Sequence, residues 1–322
     1  LFDEPLLMEK TLDCSVIGTC TVDILVRPID LQQPLGGDRL VLVDPITATT
    51  GGVVSNSGLA LAKLGNRTAA VTGVGDDAWA GIIRQRLSAA GVSVAGVSEL
   101  AGQPTSTTVV MISQDGQRSF AHCPGACAAV DNQFWRTQQE ILSASRFVLV
   151  GYYSLLPKLE SDLPDLLAAL RAGGTRVALD SAGSGGGPEP LRACLPQLDV
   201  YFPSLGEARN QTGCADPVEA IRQFRAWGAA GIVGVKLGAE GVVLSSEADR
   251  FVHLPALSPP GPVLDTTGAG DAFFAGLITG LLRGEQPVDA ARLGTAVAAV
   301  AVTGMGASGA LPDLGQALAL CK

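Results

Sequence analysis

Asp265-Thr266-Thr267-Gly268-Ala269-Gly270-Asp271-Ala272-Phe273-Phe274 is a glycine loop running directly into an apolar segment, with a carboxylate at the joint. The segment continues Ala275-Gly276-Leu277-Ile278-Thr279-Gly280-Leu281-Leu282-Arg283 and meets Gly284, a C-terminal stop. Apolar residues on nearly every face predict a helix inside the protein and not on its surface. A buried helix carries unpaired N–H groups and about half a positive charge at its start, so a glycine-lined start is a ready anion site. Asp271 is the oddity. A carboxylate there repels a bound phosphate, unless it is placed to take a proton from the group attacking that phosphate.

The 322 residues are 47% hydrophobic and 16% charged, enough for a large core. Short apolar segments punctuated by glycine favour one large α/β layer structure with an appended piece. No apolar run reaches the ~18 residues of a membrane helix. Leu1 to Leu12 lacks the basic-then-apolar order of a signal peptide, so a cytoplasmic location is expected. The net charge of −9 argues against a broad nucleic-acid footprint; a polyanion must be met by backbone donors or a few cations. Cys14, Cys20, Cys123, Cys127, Cys194, Cys214 and Cys321 lack paired metal-ligand spacing and read as reduced thiols, with His122 beside Cys123 only a weak metal signal.

Cys14 to Gly18 reads as a first buried strand and Asp23-Ile24-Leu25-Val26 as the next, which places Asp23 at a strand exit, where open α/β sheets hold ligand groups. A turn acid facing water fits the residue type equally well. Between Leu31 and Asp44, prolines, Gly36-Gly37 and the alternation Leu40-Val41-Leu42-Val43 predict strands outside the main sheet, a flap. Thr50-Gly51-Gly52-Val53-Val54-Ser55-Asn56 leads into a helix ending at Leu64-Gly65. The paired glycines permit close backbone approach to a ligand, and Asn56 can donate and accept; a plain N-cap is the equal alternative.

Gly73-Val74-Gly75-Asp76-Asp77-Ala78 matches a dinucleotide fingerprint, but its two carboxylates would face the pyrophosphate, so a strand-to-helix turn with acids complementing the helix dipole is preferred. Thr105 to Ser113 and Gln117 to His122 flank Asp115-Gly116 as a β-hairpin, which with the flap could form a small sheet covering a site; a plain surface hairpin is the alternative. From Phe147 onward strands and helices alternate, and Leu237-Gly238-Ala239-Glu240 is a tight glycine turn between two strands. A second apolar helix, Val288 to Val302, is expected to pack on the first.

Residue types alone point to in-line phosphoryl transfer. The N–H groups of Ala269 and Gly270, with Gly268 as hinge, would hold the migrating phosphoryl oxygens, and Asp271 would accept the alcohol proton. The chain lacks a G-x-x-x-x-G-K-[ST] loop and an H-R-D or D-F-G set, which excludes P-loop enzymes and protein kinases.

Asp265 to Phe273 resembles the C-terminal signature of the ribokinase-like, phosphofructokinase B type carbohydrate kinases. Gly51-Gly52-x-x-x-Asn56, ending in Leu64-Gly65, resembles their N-terminal signature, and Gly73-x-x-Asp76-x-x-x-x-Gly81 and the hairpin fall in family order. The resemblance spans residues 13–311. It implies one ribokinase-like domain, a three-layer α/β/α core with a small β-sheet lid from about 23–50 and 104–123, preceded by a tail at 1–12. It also implies ATP-dependent transfer to a hydroxyl, a primary alcohol, of a small sugar or sugar acid.

By that resemblance Asp271 is the catalytic base and Gly268, Ala269 and Gly270 form the anion hole. Asp23, Gly51, Gly52 and Asn56 would bind sugar hydroxyls, and Gly238, Gly241 and Gly268 would meet the nucleotide; the Lys236 ammonium could reach a nucleotide phosphate or simply face solvent. Mg²⁺ would ride on the phosphates, with Glu207 acting through its water, and a monovalent cation such as K⁺ would sit near Asp265 and Thr267. The lid would double as a homodimer surface; neither nucleic acid nor membrane is an expected partner.

Three positions depart from the family pattern. Ser204-Leu205-Gly206-Glu207 stands for the usual Asn-x-x-Glu and is also a capping box. Cys127 stands where Asn is frequent, and Lys236 where a small hydroxyl residue is common. The rival reading in the same fold is a nucleoside kinase, with Phe120, Tyr152 and Tyr153 to stack on a base. A sensor without catalysis is disfavoured because Asp271 is retained.

Overall fold

The structure, a computed structural model, describes residues 9–33, 36–38, 40–183 and 185–322. Residues 1–8 of the expected tail, and positions 34, 35 and 39 of the expected flap, lie outside the described residues.

Thirteen strands form among the described residues: β1 Leu12–Gly18, β2 Thr21–Val26, β3 Thr47–Gly51, β4 Thr68–Val74, β5 Ser93–Glu99, β6 Thr107–Ile112, β7 Arg118–Cys123, β8 Ser145–Gly151, β9 Arg176–Asp180, β10 Val200–Tyr201, β11 Ile232–Lys236, β12 Val242–Glu247 and β13 Arg250–Leu254. Nine make the main sheet in the order β13-β12-β11-β10-β9-β8-β1-β4-β5. From β5 to β11 all neighbours run parallel; β12 and β13 add an antiparallel edge. Parallel strands covered on both faces need apolar residues at every position, and β4 is buried along its whole length.

One apolar core lies between the sheet and the helices Gly52–Lys63, Ala269–Leu282 and Pro287–Ala301, and a second lies on the opposite face around Phe134, Leu163, Leu167 and Phe224. This is the three-layer α/β/α arrangement of the ribokinase-like fold.

From β1 the chain builds outward through β4 and β5, then returns to place β8 on the other side of β1 and builds the opposite way. The loops leaving β1 and β8 therefore diverge and open a crevice at the carboxyl ends of the strands. Gly18 and Gly151 face each other across this point, and a Cβ on Gly151 would run into the Val53 side chain.

The small sheet, β3-β2-β6-β7, is the lid. Its hairpin follows the sequence: β6 and β7 pair antiparallel around Asp115-Gly116, with Gly116 at φ +85°. Two expectations fail. Asp23 lies inside β2, paired with Thr49 on one side and Thr108 on the other, and not at the exit of a main-sheet strand. Leu40 to Val43 form no strand; Leu40 and Leu42 are 85% and 84% exposed, because no neighbouring strand offers them a ladder. The Thr-rich run of β3 pairs with β2 instead.

The Ala269–Leu282 helix is buried from Asp271 to Leu281. Its close neighbour is the Pro287–Ala301 helix, as expected, and small residues set the spacing: Gly276 lies against Gly294 and Leu293, and Gly294 against Phe273. Gly276→Ala would put a Cβ 2.7 Å from the Gly294 Cα and the Leu293 carbonyl oxygen, backbone atoms that cannot rotate away. The substitution is expected to lower unfolding free energy by about 1–3 kcal/mol, read by chemical denaturation. An unchanged midpoint would show that the helices do not meet there.

Candidate active site

Four side chains converge at the carboxyl edge of the main sheet because each is the last residue of a strand or the first beyond it, or begins a helix aimed there. Tyr152 follows β8, Asp180 ends β9, Lys236 ends β11, and Asp271 lies in the first turn of the Ala269–Leu282 helix. That helix has Gly268 as its N-cap at φ +77°, a left-handed conformation that favours glycine, and a Cβ there would collide with Ala307. The first intrahelical bond is Ala272 N to the Gly268 oxygen at 2.9 Å, while Ala269 N turns back to the Thr266 oxygen at 3.2 Å. Of the two donors expected in the anion hole, Ala269 is thus engaged in the turn. Gly270 and Asp271 supply the N–H groups at the helix start.

Asp271 is 3% exposed. Its Oδ2 accepts from Asn56 Nδ2 at 2.9 Å and from the Tyr152 hydroxyl at 2.8 Å, and the Ser57 hydroxyl lies 3.4 Å from Oδ1. Burial raises its carboxyl above the ordinary range, against the opposing pull of Asn56, Tyr152, Lys236 and Ser57. Burial, with the nearby carboxylates of Asp271 and Asp180, pushes the Tyr152 phenol well up, so it stays a donor. Tyr152 takes a left-handed backbone, φ 57° and ψ 41°, which is uncommon for a non-glycine residue and strained.

The residues expected to meet a substrate join this group through packed contacts. Asp23 accepts from the Thr21 hydroxyl at 2.8 Å; burial raises its carboxyl, with the Thr21 and Thr108 hydroxyls opposing. A Cβ on Gly51 would overlap the Asp23 carboxylate, and one on Gly52, at φ +78°, would strike the backbone of Thr19. Glycine at 51 and 52 lets β2 and the first turn of the Gly52–Lys63 helix close on each other, one turn before Asn56. Asn56 Oδ1 is buried and has no hydrogen-bond partner among the described residues, and the same holds for Thr19 Oγ1.

Of the residues expected to meet a nucleotide, Lys236 donates from Nζ to Asp180 Oδ1 at 3.0 Å and stands 4.8 Å above the Phe274 ring. A Cβ on Gly270 would come within 3.2 Å of that ammonium, which therefore lies beside the helix start. Burial raises the Asp180 carboxyl to about 7, Lys236 pulls it down, and Asp271 and Glu207 push it further up. Gly238 opens the turn after β11 at φ +62° with nothing within 4 Å of its would-be Cβ, and Gly241 closes the turn at φ +95° against Leu254 and Ala256. Glu207 forms the capping box read from the sequence: its Oε2 accepts from Ser204 N at 2.6 Å and its N donates to Ser204 Oγ at 3.3 Å.

Asp265 and Thr267 come together, and a residue the sequence did not single out joins them. Arg118, the first residue of β7 in the lid, donates from Nη2 to Asp265 Oδ2 and from Nη1 to Thr267 Oγ1, both at 2.6 Å. Burial would raise Asp265, but Arg118 and the N–H groups of Thr267 and Gly306 outweigh it and hold the carboxyl down to about 2. Ser57 and Tyr152 were likewise not read as partners of Asp271. Ser57 directly follows Asn56, but nothing in the sequence pairs Tyr152 with a carboxylate 119 positions away. Tyr153 is fully buried with its hydroxyl on the Gly185 oxygen at 2.8 Å, and so leaves the set of aromatics open to a base.

The pfkB family carbohydrate kinase profile matches residues 13–314. The chain is 28% identical over 320 residues to a ribokinase of Arabidopsis thaliana, covering 95% of this chain and 80% of that protein. It is 30% identical to a fructokinase of Klebsiella pneumoniae, covering 92% and 95%, and 28% identical to a cytidine kinase of Thermococcus kodakarensis, covering 88% and 93%. Among solved structures, the Arabidopsis thaliana ribokinase complexed with ribose and ATP superposes with a TM-score of 0.83 at 25% identity, covering 98% of this chain and 99% of that one. An Escherichia coli ribokinase II in complex with ATP and Mg²⁺ shares the fold, with a TM-score of 0.79 at 24% identity and coverage of 96% and 98%.

The buried Asp180 gives a pH test. Its carboxyl holds a proton up to about pH 7 in the folded chain but only to its ordinary value of 3.8 when unfolded. The folded state therefore binds more protons in that window, and stability falls as pH rises through it. Asp180→Asn, neutral throughout, is expected to show a flatter profile between these limits in denaturant titrations. Parallel profiles would mean that Asp180 is ionised across the range.

Proposed function

The chain belongs to the pfkB family of carbohydrate kinases, and we propose that it transfers the γ-phosphoryl group of ATP to a hydroxyl, a primary alcohol, of a small sugar or sugar acid. The observation that carries this reading is the juxtaposition of the buried Asp271 carboxylate at the start of a buried helix with the unpartnered acceptor Asn56 Oδ1. A buried polar atom without a partner is costly unless something else meets it, and a substrate hydroxyl would.

In this reading Asp23, with Gly51 and Gly52 leaving room for it, and Asn56 orient the sugar. Asp271 accepts the proton of the attacking hydroxyl; the new oxygen–phosphorus bond forms as the bond between the γ-phosphorus and the β-phosphate oxygen breaks, and ADP leaves. The raised carboxyl suits a base that must hold the proton until release. The N–H groups of Gly270 and Asp271 meet the charge on the transferring oxygens, donors of a kind worth ~100- to 1,000-fold each. Lys236 exchanges Asp180 for a phosphate oxygen, and Gly238 and Gly241 shape the loop along which the nucleotide lies. The carboxyl groups of Asp180 and Glu207 stand beside that path, a donor set of oxygens that suits a hydrated divalent cation; Mg²⁺ there would neutralise phosphate charge, with Glu207 reaching it through water.

We read residues 13–311 as one kinase unit with the lid inserted, and its β7 edge, exposed from Ser119 to Cys123, as the surface for a homodimer. All seven cysteines are free, in keeping with a cytoplasmic enzyme, and no helix of the described residues is long and apolar enough to cross a membrane. Likeness to a cytidine kinase supports a second reading, a nucleoside acceptor, with Phe120 on the lid, 61% exposed, and Tyr152 left to meet a base.

Coupled-assay ADP release across pentoses, hexoses, sugar acids and nucleosides with Mg²⁺ is expected to favour a sugar or sugar acid. A more than tenfold preference in kcat/KM for a nucleoside would select the second reading. Asp271→Asn should cut kcat by at least about 100-fold while ATP binding, read by calorimetry, persists. Near-wild-type turnover by this variant would remove Asp271 from the chemistry.

A further inference from the structure

The oxygens that the sequence offers to a monovalent cation are already in use. Asp265 Oδ2 and Thr267 Oγ1 each lie 2.6 Å from a different nitrogen of the same guanidinium. Asp265 Oδ2 also accepts from Gly306 N at 2.8 Å, and Oδ1 from Thr267 N at 3.0 Å. A K⁺ ion needs lone pairs turned toward it. Here Asp265 Oδ2 and Thr267 Oγ1 meet a guanidinium that already carries a positive charge, Asp265 Oδ1 is turned to a backbone N–H, and a second cation against the same atoms would be repelled by the first. The residues present do not fit the ion.

The fork-shaped, charge-assisted pair also does something a small ion does not. Arg118 sits on the lid, directly after the Asp115-Gly116 turn, at the register position opposite Ile112. Its two bonds run to the loop that precedes Gly268 and therefore hold the strand-to-helix passage from which Gly270 and Asp271 present their N–H groups. Behind that loop, Leu264 N and Asp265 N bond to the Val302 oxygen at 2.9 and 3.2 Å, and Ala307 closes on Gly268. The loop is thus clamped from the core on one side and from the lid on the other. Arginine suits the task because its planar fork bridges two oxygens at once and its charge does not titrate.

We propose that the Arg118 guanidinium takes the place of a monovalent cation in this kinase, holding the anion-hole loop in its working geometry and tying that geometry to the lid. Arg118 is a positioning residue: it touches neither the reacting hydroxyl nor the transferring group in this arrangement, and acts through Asp265 and Thr267.

The test compares KCl, NaCl and choline chloride at equal ionic strength. The wild-type enzyme is expected to show the same kcat within about twofold and the same Tm in all three. Arg118→Ala should lower kcat by up to about 100-fold, the scale of a small misplacement of catalytic groups, with less change in the KM for sugar. Its kcat and Tm should rise again with millimolar guanidinium, and with K⁺ or NH₄⁺ over choline. Arg118→Lys, which keeps the charge and loses the fork, should fall between. Activation of the wild type severalfold by K⁺ overturns the proposal, as does an Arg118→Ala enzyme with wild-type kcat and no response to cations. The kcat arms rest on the kinase reading; the Tm arms do not, so a protein that phosphorylates nothing in the screen still decides whether K⁺ has a site. Should Arg118→Ala fail to fold, the wild-type salt series and Arg118→Lys carry the decision.

Discussion

The constraint on which the rest of the structure depends is the burial of the Asp271 carboxylate. A charged or titratable oxygen pair removed from water needs donors, and here Asn56, Tyr152 and Ser57 come from two different elements to provide them. Bringing those donors within hydrogen-bond distance fixes the Gly52–Lys63 helix against the Ala269–Leu282 helix and sets the loop after β8 beside both. The close approach of Gly276 to Gly294 supports the same placement from behind, since a wider helix pair would carry Asp271 away from its partners.

The charges around Asp271 are arranged about a single ammonium, Lys236. Burial, Asp271 and Glu207 push the Asp180 carboxyl up, and Lys236 is the counterweight. A polyanionic phosphate would draw Lys236 from Asp180, so nucleotide binding and the protonation of Asp180 would favour each other through a single ammonium. The departure at position 236 from a small hydroxyl residue to lysine acquires its meaning here. A hydroxyl could donate to a phosphate but could not offset the buried Asp180 carboxyl.

Much of this was legible in the sequence where the chemistry is local. The loop from Asp265 to Asp271, the helix after it and the Gly51-Gly52 approach to Asn56 are contiguous stretches whose residue types dictate their backbone, and the hairpin was announced by Asp115-Gly116. Patterns needing a partner from elsewhere were not. Leu40 to Val43 alternate as a strand does, yet alternation describes only one side of a ladder, and the lid found its third strand in Thr47–Gly51. Asp23 was placed at an exit because its neighbours are apolar, whereas the chain turns after β1 at once and runs it into the lid. Tyr152 reads as a stacking ring; its hydroxyl also donates to Asp271, from a left-handed backbone that the aromatic sequence does not betray.

Arg118 shows why lid and core must be considered together. It lies 147 positions from Asp265, and either residue alone reads as an ordinary surface charge or a loop acid. Joined, they make lid position and loop geometry one variable. Whatever substrate lets the lid settle with Arg118 on Asp265 also sets the helix start, and a ligand that holds the hairpin away leaves that start unclamped. Selectivity can then arise without further contacts at the reacting hydroxyl, because the wrong substrate fails to complete the anion hole. On the proposed reading, acceptor discrimination would lie in the fit between the lid strands and the sugar, at Asp23 and its Thr21 and Thr108 neighbours, and Asp271 would serve whichever hydroxyl is delivered.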